Sequence, residues 1–302
     1  MYHVINRGNY RRDVFETTGT AKAFEVTLDE ACEQHGWKLH AYVILRNHFH
    51  LALTTPEPNL VEGMHWLQST FASRFNRLRG ERGHLFQGRY QALLIEDDAA
   101  LIRVVDYIHL NPVRARIVAA EQVARFRWSS LRRFTKPERP VWFSAGDWLG
   151  RLGLVDSAAG WRSYVAGLAE LAEDEARQKE LGFEQMSRGW AIGTDAWRKA
   201  IARDHAHLKL DSGYAAGEIR ELKEARWQEK LSTLLSAAGK SLEDAAADSK
   251  GAAWKRGLAV ELRRTVGAPH GWIAERLAMG SPHALRAHLS RTRSRIEQQT
   301  SA

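Results

Sequence analysis

Trp37-Lys38-Leu39-His40-Ala41-Tyr42-Val43-Ile44-Leu45-Arg46-Asn47-His48-Phe49-His50-Leu51-Ala52-Leu53-Thr54 carries the pattern that decides the fold. Short apolar bursts on either side of Arg46-Asn47 predict two antiparallel strands, 37–45 and 48–54, joined by a tight turn, with Pro56 ending the second. Upstream, 2–7 reads as a strand, Gly8-Asn9-Tyr10-Arg11-Arg12 as a turn-rich stretch, and 18–35 as a helix closed by Gly36. Downstream, Leu60, Met64, Leu67, Phe71, Phe75 and Leu78 recur at helical spacing, which predicts an amphipathic helix over 59–79 with Asn59 at its N-cap. A strand over 88–96 follows, then a helix over 99–110, capped by Asp97 or Asp98 and stopped by Asn111-Pro112. The order strand, helix, strand, strand, helix, strand, helix predicts an α+β fold, a ferredoxin-like antiparallel sheet with its helices on one face. Such a fold hosts many activities, so the site residues must decide the function.

The chain has 302 residues, 44% hydrophobic and 26% charged, which argues against disorder and allows about two domains of roughly 150 residues. No apolar run reaches the roughly 18 residues of a membrane span, and the first residues lack a signal-peptide core, so a cytoplasmic location without membrane partners is expected. The single cysteine, Cys32, rules out an internal disulfide and a thiolate-built zinc site, and reads as a small buried helix residue. Residues 1–135 carry 18 basic and 14 acidic side chains, residues 136–250 carry 17 and 19, and the last 52 carry 9 and 3. Both ends are thus basic, as a polyanion partner would require, and the middle is not. Thr135-Lys136-Pro137-Glu138-Arg139-Pro140 reads as a linker, giving a 1–135 domain, a helical connecting region over 136–250, and a 251–302 module. In that module, helical patterns over 255–266, 272–279 and 283–295, separated by Gly267-Ala268-Pro269-His270-Gly271 and Gly280-Ser281-Pro282, read as an all-α helix-turn-helix. Its arginines, Arg286 and Arg291 among them, would meet DNA; a small bundle with a solvated basic face fits the same pattern.

His48 and His50 are two apart on a strand, so both imidazoles share a face while Phe49 and Leu51 take the other. Such a pair can grip one divalent ion and leave positions open for a substrate oxygen, although two histidines at a sheet edge are the plainer reading. Tyr107 lies off the core stripe of its helix; its phenol, with a pKa of about 10, is a nucleophile only beside a cation or base. Asn111, one turn later, can offer a carboxamide oxygen as a third ligand or cap the helix before Pro112. Gly83-His84-Leu85-Phe86-Gln87-Gly88-Arg89-Tyr90 mixes aromatic, cationic and glycine residues, as a single-strand binding segment or a kinked hairpin with core aromatics would.

The histidine-hydrophobic-histidine run His48-Phe49-His50 resembles the motif of the HUH endonucleases. Together with Tyr2-His3-Val4-Ile5-Asn6-Arg7-Gly8-Asn9, the stretch from Gly83 to Tyr90, Tyr107-Ile108-His109-Leu110-Asn111-Pro112-Val113-Arg114-Ala115 and Trp128-Ser129-Ser130, it makes residues 1–135 resemble the single-tyrosine transposases. The branch most similar is that associated with repetitive extragenic palindromic (REP) sequences, and Trp272-Ile273-Ala274-Glu275-Arg276-Leu277-Ala278-Met279-Gly280 is similar to the helix-turn-helix some of its members carry. Members begin several residues before the first strand, so Met1 reads as a shortened start.

The resemblance implies an HUH nuclease fold and an enzyme in which Tyr107 attacks single-stranded or hairpin DNA to give a 5′-phosphotyrosine. It also implies Mg²⁺ or Mn²⁺ on His48, His50 and Asn111, and DNA contacts from Arg7, Arg11, Arg12, His84, Gln87, Arg89 and Arg114. It further implies duplex DNA as a second partner through the C-terminal module, and either a monomer or a homodimer. Two alternatives stay open on the sequence, a non-catalytic DNA-binding regulator acting through the helix-turn-helix and a ferredoxin-like RNA binder.

Overall fold

Strand β1 (Tyr2–Arg7) holds the sheet together because it pairs on both sides. The computed structural model describes residues 1–136, 138–204 and 220–286. Its sheet has the order β2-β3-β1-β4-β5, with β2 Lys38–Ile44, β3 His48–Thr54, β4 Gln91–Ile95 and β5 Ala191–Ile192. β1 runs antiparallel to β3, from Tyr2 opposite Leu53 to Arg7 opposite His48, and antiparallel to β4, from Tyr2 opposite Leu94 to Ile5 opposite Gln91. The first four strands therefore have the split βαβ order of a ferredoxin-like sheet. β5, which the sequence did not suggest, adds a parallel edge to β4 and makes the sheet mixed.

Helices α1 (Thr18–His35) and α2 (Leu60–Arg79) pack on one face, where Phe49 meets Phe24 of α1 at 4.6 Å between ring centroids and Phe24 meets Phe71 of α2 at 5.1 Å. Helix α3 (Asp98–Arg114) lies on the other, its Tyr107 ring against His50. The expectation of helices on a single face is thereby corrected. Alternation along β3 sends Phe49 and Leu51 one way and His48 and His50 the other, and both sides are covered.

Local chemistry sets the helix ends. Thr17 accepts from the Thr20 N–H at the start of α1, and Gly36 closes it with φ of 64°. Asn59 precedes α2 without capping it: its Oδ1 accepts from the Trp37 indole N–H at 2.9 Å and its Nδ2 donates to the His35 carbonyl at 2.9 Å, tying α2 to the end of α1. Asp97 caps α3 through the Ala100 N–H. Pro112 does not stop this helix, which runs on to Arg114; proline lacks only its own N–H, and the Ala115 N–H still reaches the Asn111 carbonyl at 2.8 Å.

The compact unit containing the sheet extends to Thr194, so the linker expected at 135–140 falls inside it. Residues 127–129 and 142–144 cover the β2 edge, with the Ile44 N–H donating to the Trp128 carbonyl and the Leu39 N–H to the Trp142 carbonyl, each at 2.8 Å. Helices α4 (Ser130–Phe134), α5 (Gly146–Arg151), α6 (Ala158–Glu173) and α7 (Glu175–Glu180) follow. A buried chain of hydrogen bonds joins α4 and α6 to α3. The Tyr42 N–H donates to Ser130 Oγ at 2.9 Å, Ser130 Oγ lies 2.7 Å from His109 Nε2, His109 Nδ1 lies 2.9 Å from Tyr164 Oη, and the Tyr164 hydroxyl donates to Asp106 at 2.7 Å. Since Tyr164 donates to the carboxylate, it accepts from His109 Nδ1–H, which leaves His109 Nε2 to accept from Ser130. Every member is satisfied, as a buried polar network must be.

The second unit holds α8 (Asp195–Asp204), α9 (Arg220–Ala237), α10 (Leu242–Ala247), α11 (Ala253–Val266) and α12 (His270–Arg276). Its core includes Trp227, Leu231, Leu262, Ile273 and Leu277. Gly267, with φ of 66°, breaks α11 from α12 as expected, and residues 282–286 are helical. The rest of the expected recognition helix, with Arg291, lies outside the described residues, so the helix-turn-helix stays an expectation. No helix among the described residues is long and apolar enough to cross a membrane.

Burial pushes the Asp106 carboxyl up to about 6, against the lowering effect of the Tyr164 hydroxyl. Because the folded value exceeds the unfolded one, this group's favourable contribution is full below about pH 4 and is lost as pH rises through about 6, a difference of about 3 kcal/mol. Asp106→Asn should therefore gain about 2 kcal/mol relative to the parent protein between pH 4 and pH 7. Urea unfolding at the two pH values measures this, and an unchanged gap would contradict it.

Candidate active site

The register brings the site together before any side chain is considered. Ile5 lies opposite His50 and Arg7 opposite His48, so His3, Ile5, Arg7, His48 and His50 share the α3 face of the sheet. The His48 and His50 rings are 5.2 Å apart between centroids. The Tyr107 ring stands edge-on to His50 at 5.6 Å and to His3 at 5.9 Å. One chain thus brings both imidazoles and the phenol ring together.

Both histidines of the pair are held neutral. Burial, then the Arg7 guanidinium, brings His48 down to about 4, and burial, then His3, His48 and Arg7, hold His50 well below the ordinary imidazole value. His48 Nδ1–H donates to Asn47 Oδ1 at 2.7 Å. His50 Nδ1 lies 3.0 Å from His3 Nε2, and the two rings stack at 5.2 Å. His3 Nδ1 in turn meets the Met186 carbonyl at 2.8 Å, and burial brings this ring down to about 4. Among the described residues neither His48 Nε2 nor His50 Nε2 has a hydrogen-bond partner.

Tyr107 is only 8% exposed, so the expectation of a phenol lying off the core stripe is corrected. Its hydroxyl is 2.9 Å from Ser187 Oγ, and its ring packs edge-on against Phe183 at 5.6 Å. The Arg114 guanidinium lies 5.3 Å from the Tyr107 ring and 5.3 Å from the Phe183 ring, and donates to Gln178 at 3.0 Å. A cleft of about 620 Å³, lined by Arg114, Arg116, Lys179, Phe183 and Glu184 among others, opens beside these residues. Asn111 is buried, one turn past Tyr107, and its Nδ2 donates to the Tyr107 carbonyl at 3.3 Å. Its side chain does not cap α3, whose last carbonyls accept from the Ala115, Arg116 and Ile117 N–H groups.

The candidate DNA contacts divide by position. Arg7 and Arg114 belong to the site itself. Gln87 is tied to it through its backbone, the N–H donating to the Arg7 carbonyl at 2.8 Å, and exposed Arg89 follows two residues later. In the same segment Leu85 and Phe86 are core residues, Phe86 packing on Phe49 at 5.9 Å, so its aromatic side chain is not offered to bases. Exposed His84 lies at the start of that segment, and Arg11 is exposed in the turn after β1. Arg12 pairs with Glu81 and covers the Phe75 ring. Arg286 is exposed in the second unit, and Arg291 lies outside the described residues.

Four residues of this neighbourhood are not among the site residues expected from the sequence: His3, Phe183, Met186 and Ser187. His3 carried a signal, since it occupies the same face of β1 as Ile5 and Arg7, in step with the His48 and His50 face of β3. The other three follow α7 in a region with no catalytic pattern.

Among the described residues no group of three or more His, Cys, Asp or Glu side chains is placed to hold a metal ion, so an ion on the histidine pair needs oxygen donors of another kind. Residues 1–111 match the family model for IS200-like transposases. A Haemophilus influenzae protein whose name assigns it to the REP-associated tyrosine transposases is 29% identical over 126 residues, covering 38% of this chain and 70% of that protein. A solved structure of a REP-associated tyrosine transposase bound to a REP hairpin is 21% identical, covers 49% of this chain and 85% of its own, and superposes with a TM-score of 0.38. His48, His50 and Tyr107 all fall within the 111 residues that are similar to the IS200-like transposases.

Proposed function

We propose that this chain nicks and rejoins single-stranded or hairpin DNA, with Tyr107 as the nucleophile. The observation that carries the reading is the packing of the Tyr107 ring against His50, whose ring in turn lies beside His48. Tyr107 Oη would bond to phosphorus as the P–O3′ bond breaks; the phenol loses its proton and the departing 3′ oxygen gains one, leaving a 5′-phosphotyrosine and a free 3′-hydroxyl. Rejoining is the reverse attack, so the phosphodiester is conserved and neither ATP nor a water nucleophile is required.

The donor set fits a divalent cation. Both imidazoles are neutral, both use Nδ1 in hydrogen bonds, and both keep Nε2 unpartnered. His48 and His50 would hold the ion with the Asn111 carboxamide oxygen as third ligand. Two nitrogen donors suit Mn²⁺ better than Mg²⁺, which prefers oxygen. When bound, the ion would polarise the scissile phosphate and offset its transition-state charge. Arg7 and Arg114 would contact phosphates on either side, with Arg11 and Arg89 further along the strand. Tyr10, 93% exposed and followed by Arg11 and Arg12, adds a ring on which a base can stack. The Haemophilus relative is named for its association with REP sequences, which makes palindromic hairpins the first substrates to try. Duplex DNA would be the partner of the second unit. A regulator acting through that unit alone predicts duplex binding without a covalent adduct.

Tyr107→Phe keeps the ring contacts and removes the hydroxyl, so hairpin binding should persist while cleavage falls by on the order of 10³-fold or more. A denaturing gel with labelled hairpin DNA and Mn²⁺ reads the protein-linked fragment directly, and an adduct from the Phe variant at the parental rate would refute the assignment. His48→Ala should weaken Mn²⁺ binding at least about ten-fold in a paramagnetic resonance titration of DNA-free protein. Unchanged affinity would move the metal elsewhere.

A further inference from the structure

His3 stands behind the histidine pair and touches neither the open side of His50 nor Tyr107's hydroxyl by any hydrogen bond among the described residues. Its two ring nitrogens are both engaged, and their partners fix the direction of every proton. A carbonyl oxygen can only accept, so the 2.8 Å contact to Met186 places the His3 proton on Nδ1. In the neutral ring Nε2 is then a bare lone pair. Its 3.0 Å partner, His50 Nδ1, must therefore carry the hydrogen, and His50 Nε2 must be unprotonated. Asn47 does the same for His48 by a single step, accepting from its Nδ1 at 2.7 Å.

We infer that His3 is a positioning residue for the proposed metal site: by accepting from His50 Nδ1–H while anchored to the Met186 carbonyl, it holds His50 in the tautomer whose Nε2 can bind a cation. This rests on the metal reading given above. The arrangement supplies an outer partner of the kind that orients ligating histidines elsewhere, with a second imidazole in place of a carboxylate or carbonyl. A neutral partner has a chemical consequence, because it orients His50 without adding negative charge beside a phosphate substrate. The stacked rings, at 26° between planes, also restrict rotation of His50 about its own axis.

The relay is tested in the metal-free full-length protein. Nitrogen-15 spectra of the imidazoles, with His50 assigned by comparison with His50→Gln, should show His50 protonated at Nδ1. His3→Phe keeps an aromatic ring of similar size but offers no acceptor. A buried Nδ1–H would then be unpaired, so the His50 proton should move to Nε2 and Mn²⁺ affinity should fall by about 10- to 100-fold. His3→Gln retains an acceptor, and should restore both the Nδ1–H signature and Mn²⁺ affinity to within about three-fold of the parent. A parent His50 protonated at Nε2, or a folded His3→Phe protein that binds Mn²⁺ as the parent does, would overturn the inference. Should His3→Phe fail to fold, the parent spectrum and His3→Gln still decide it. If the parent shows the Nδ1–H form yet binds no Mn²⁺, the metal reading fails and with it the role assigned here, whereas Mn²⁺ binding with the opposite tautomer sinks the relay alone.

Discussion

Alternation along β3 is the constraint on which the site depends. Phe49 and Leu51 must enter the aromatic core made by α1 and α2, and the pleat then leaves His48 and His50 no choice but the opposite face. A slip of one residue in the pairing with β1 would bury the imidazoles among phenylalanines and send Phe49 toward Tyr107. The register is secured on both flanks, by β1 and by β2, whose pairing with β3 shifts only between Leu39 and Ala41, well away from the histidines. Core packing and the placement of the histidine pair are consequently one decision, taken by the same seven residues.

The similarity to the IS200-like transposases ends at residue 111, but the structural unit does not. Residues beyond it supply an edge strand, cover the other sheet edge, and close a polar network around His109 that secures α3 from behind. They also reach the site, through Phe183 on the Tyr107 ring, Ser187 on its hydroxyl and Met186 on His3. The helix that carries Tyr107 is therefore positioned from two sides, by the sheet and by residues some eighty positions later in the chain.

Much of this was legible in the sequence where periodicity is local. The strand pair at 37–54, the two long amphipathic helices, Gly36 as a terminator and the sharing of one face by His48 and His50 all follow from spacing alone. Asn111-Pro112 was misread as a stop because proline at that point removes one donor from a helix that still has partners for its last carbonyls. Helices on both faces were missed because a strand covered on both sides shows the same apolar run as one covered on one side with inward histidines. The bond between His3 and Met186 was invisible for a different reason. Their contact spans 183 positions and uses a main-chain oxygen, which no residue type announces.

That last feature has a consequence for how the region after α7 can vary. A main-chain oxygen is indifferent to the side chain that follows it, so the spelling of position 186 can change freely while the anchor endures. A deletion or insertion of one residue between Leu181 and Trp190 is another matter, since it would carry that oxygen out of reach. This segment should behave as a ruler, tolerant of composition and strict about length.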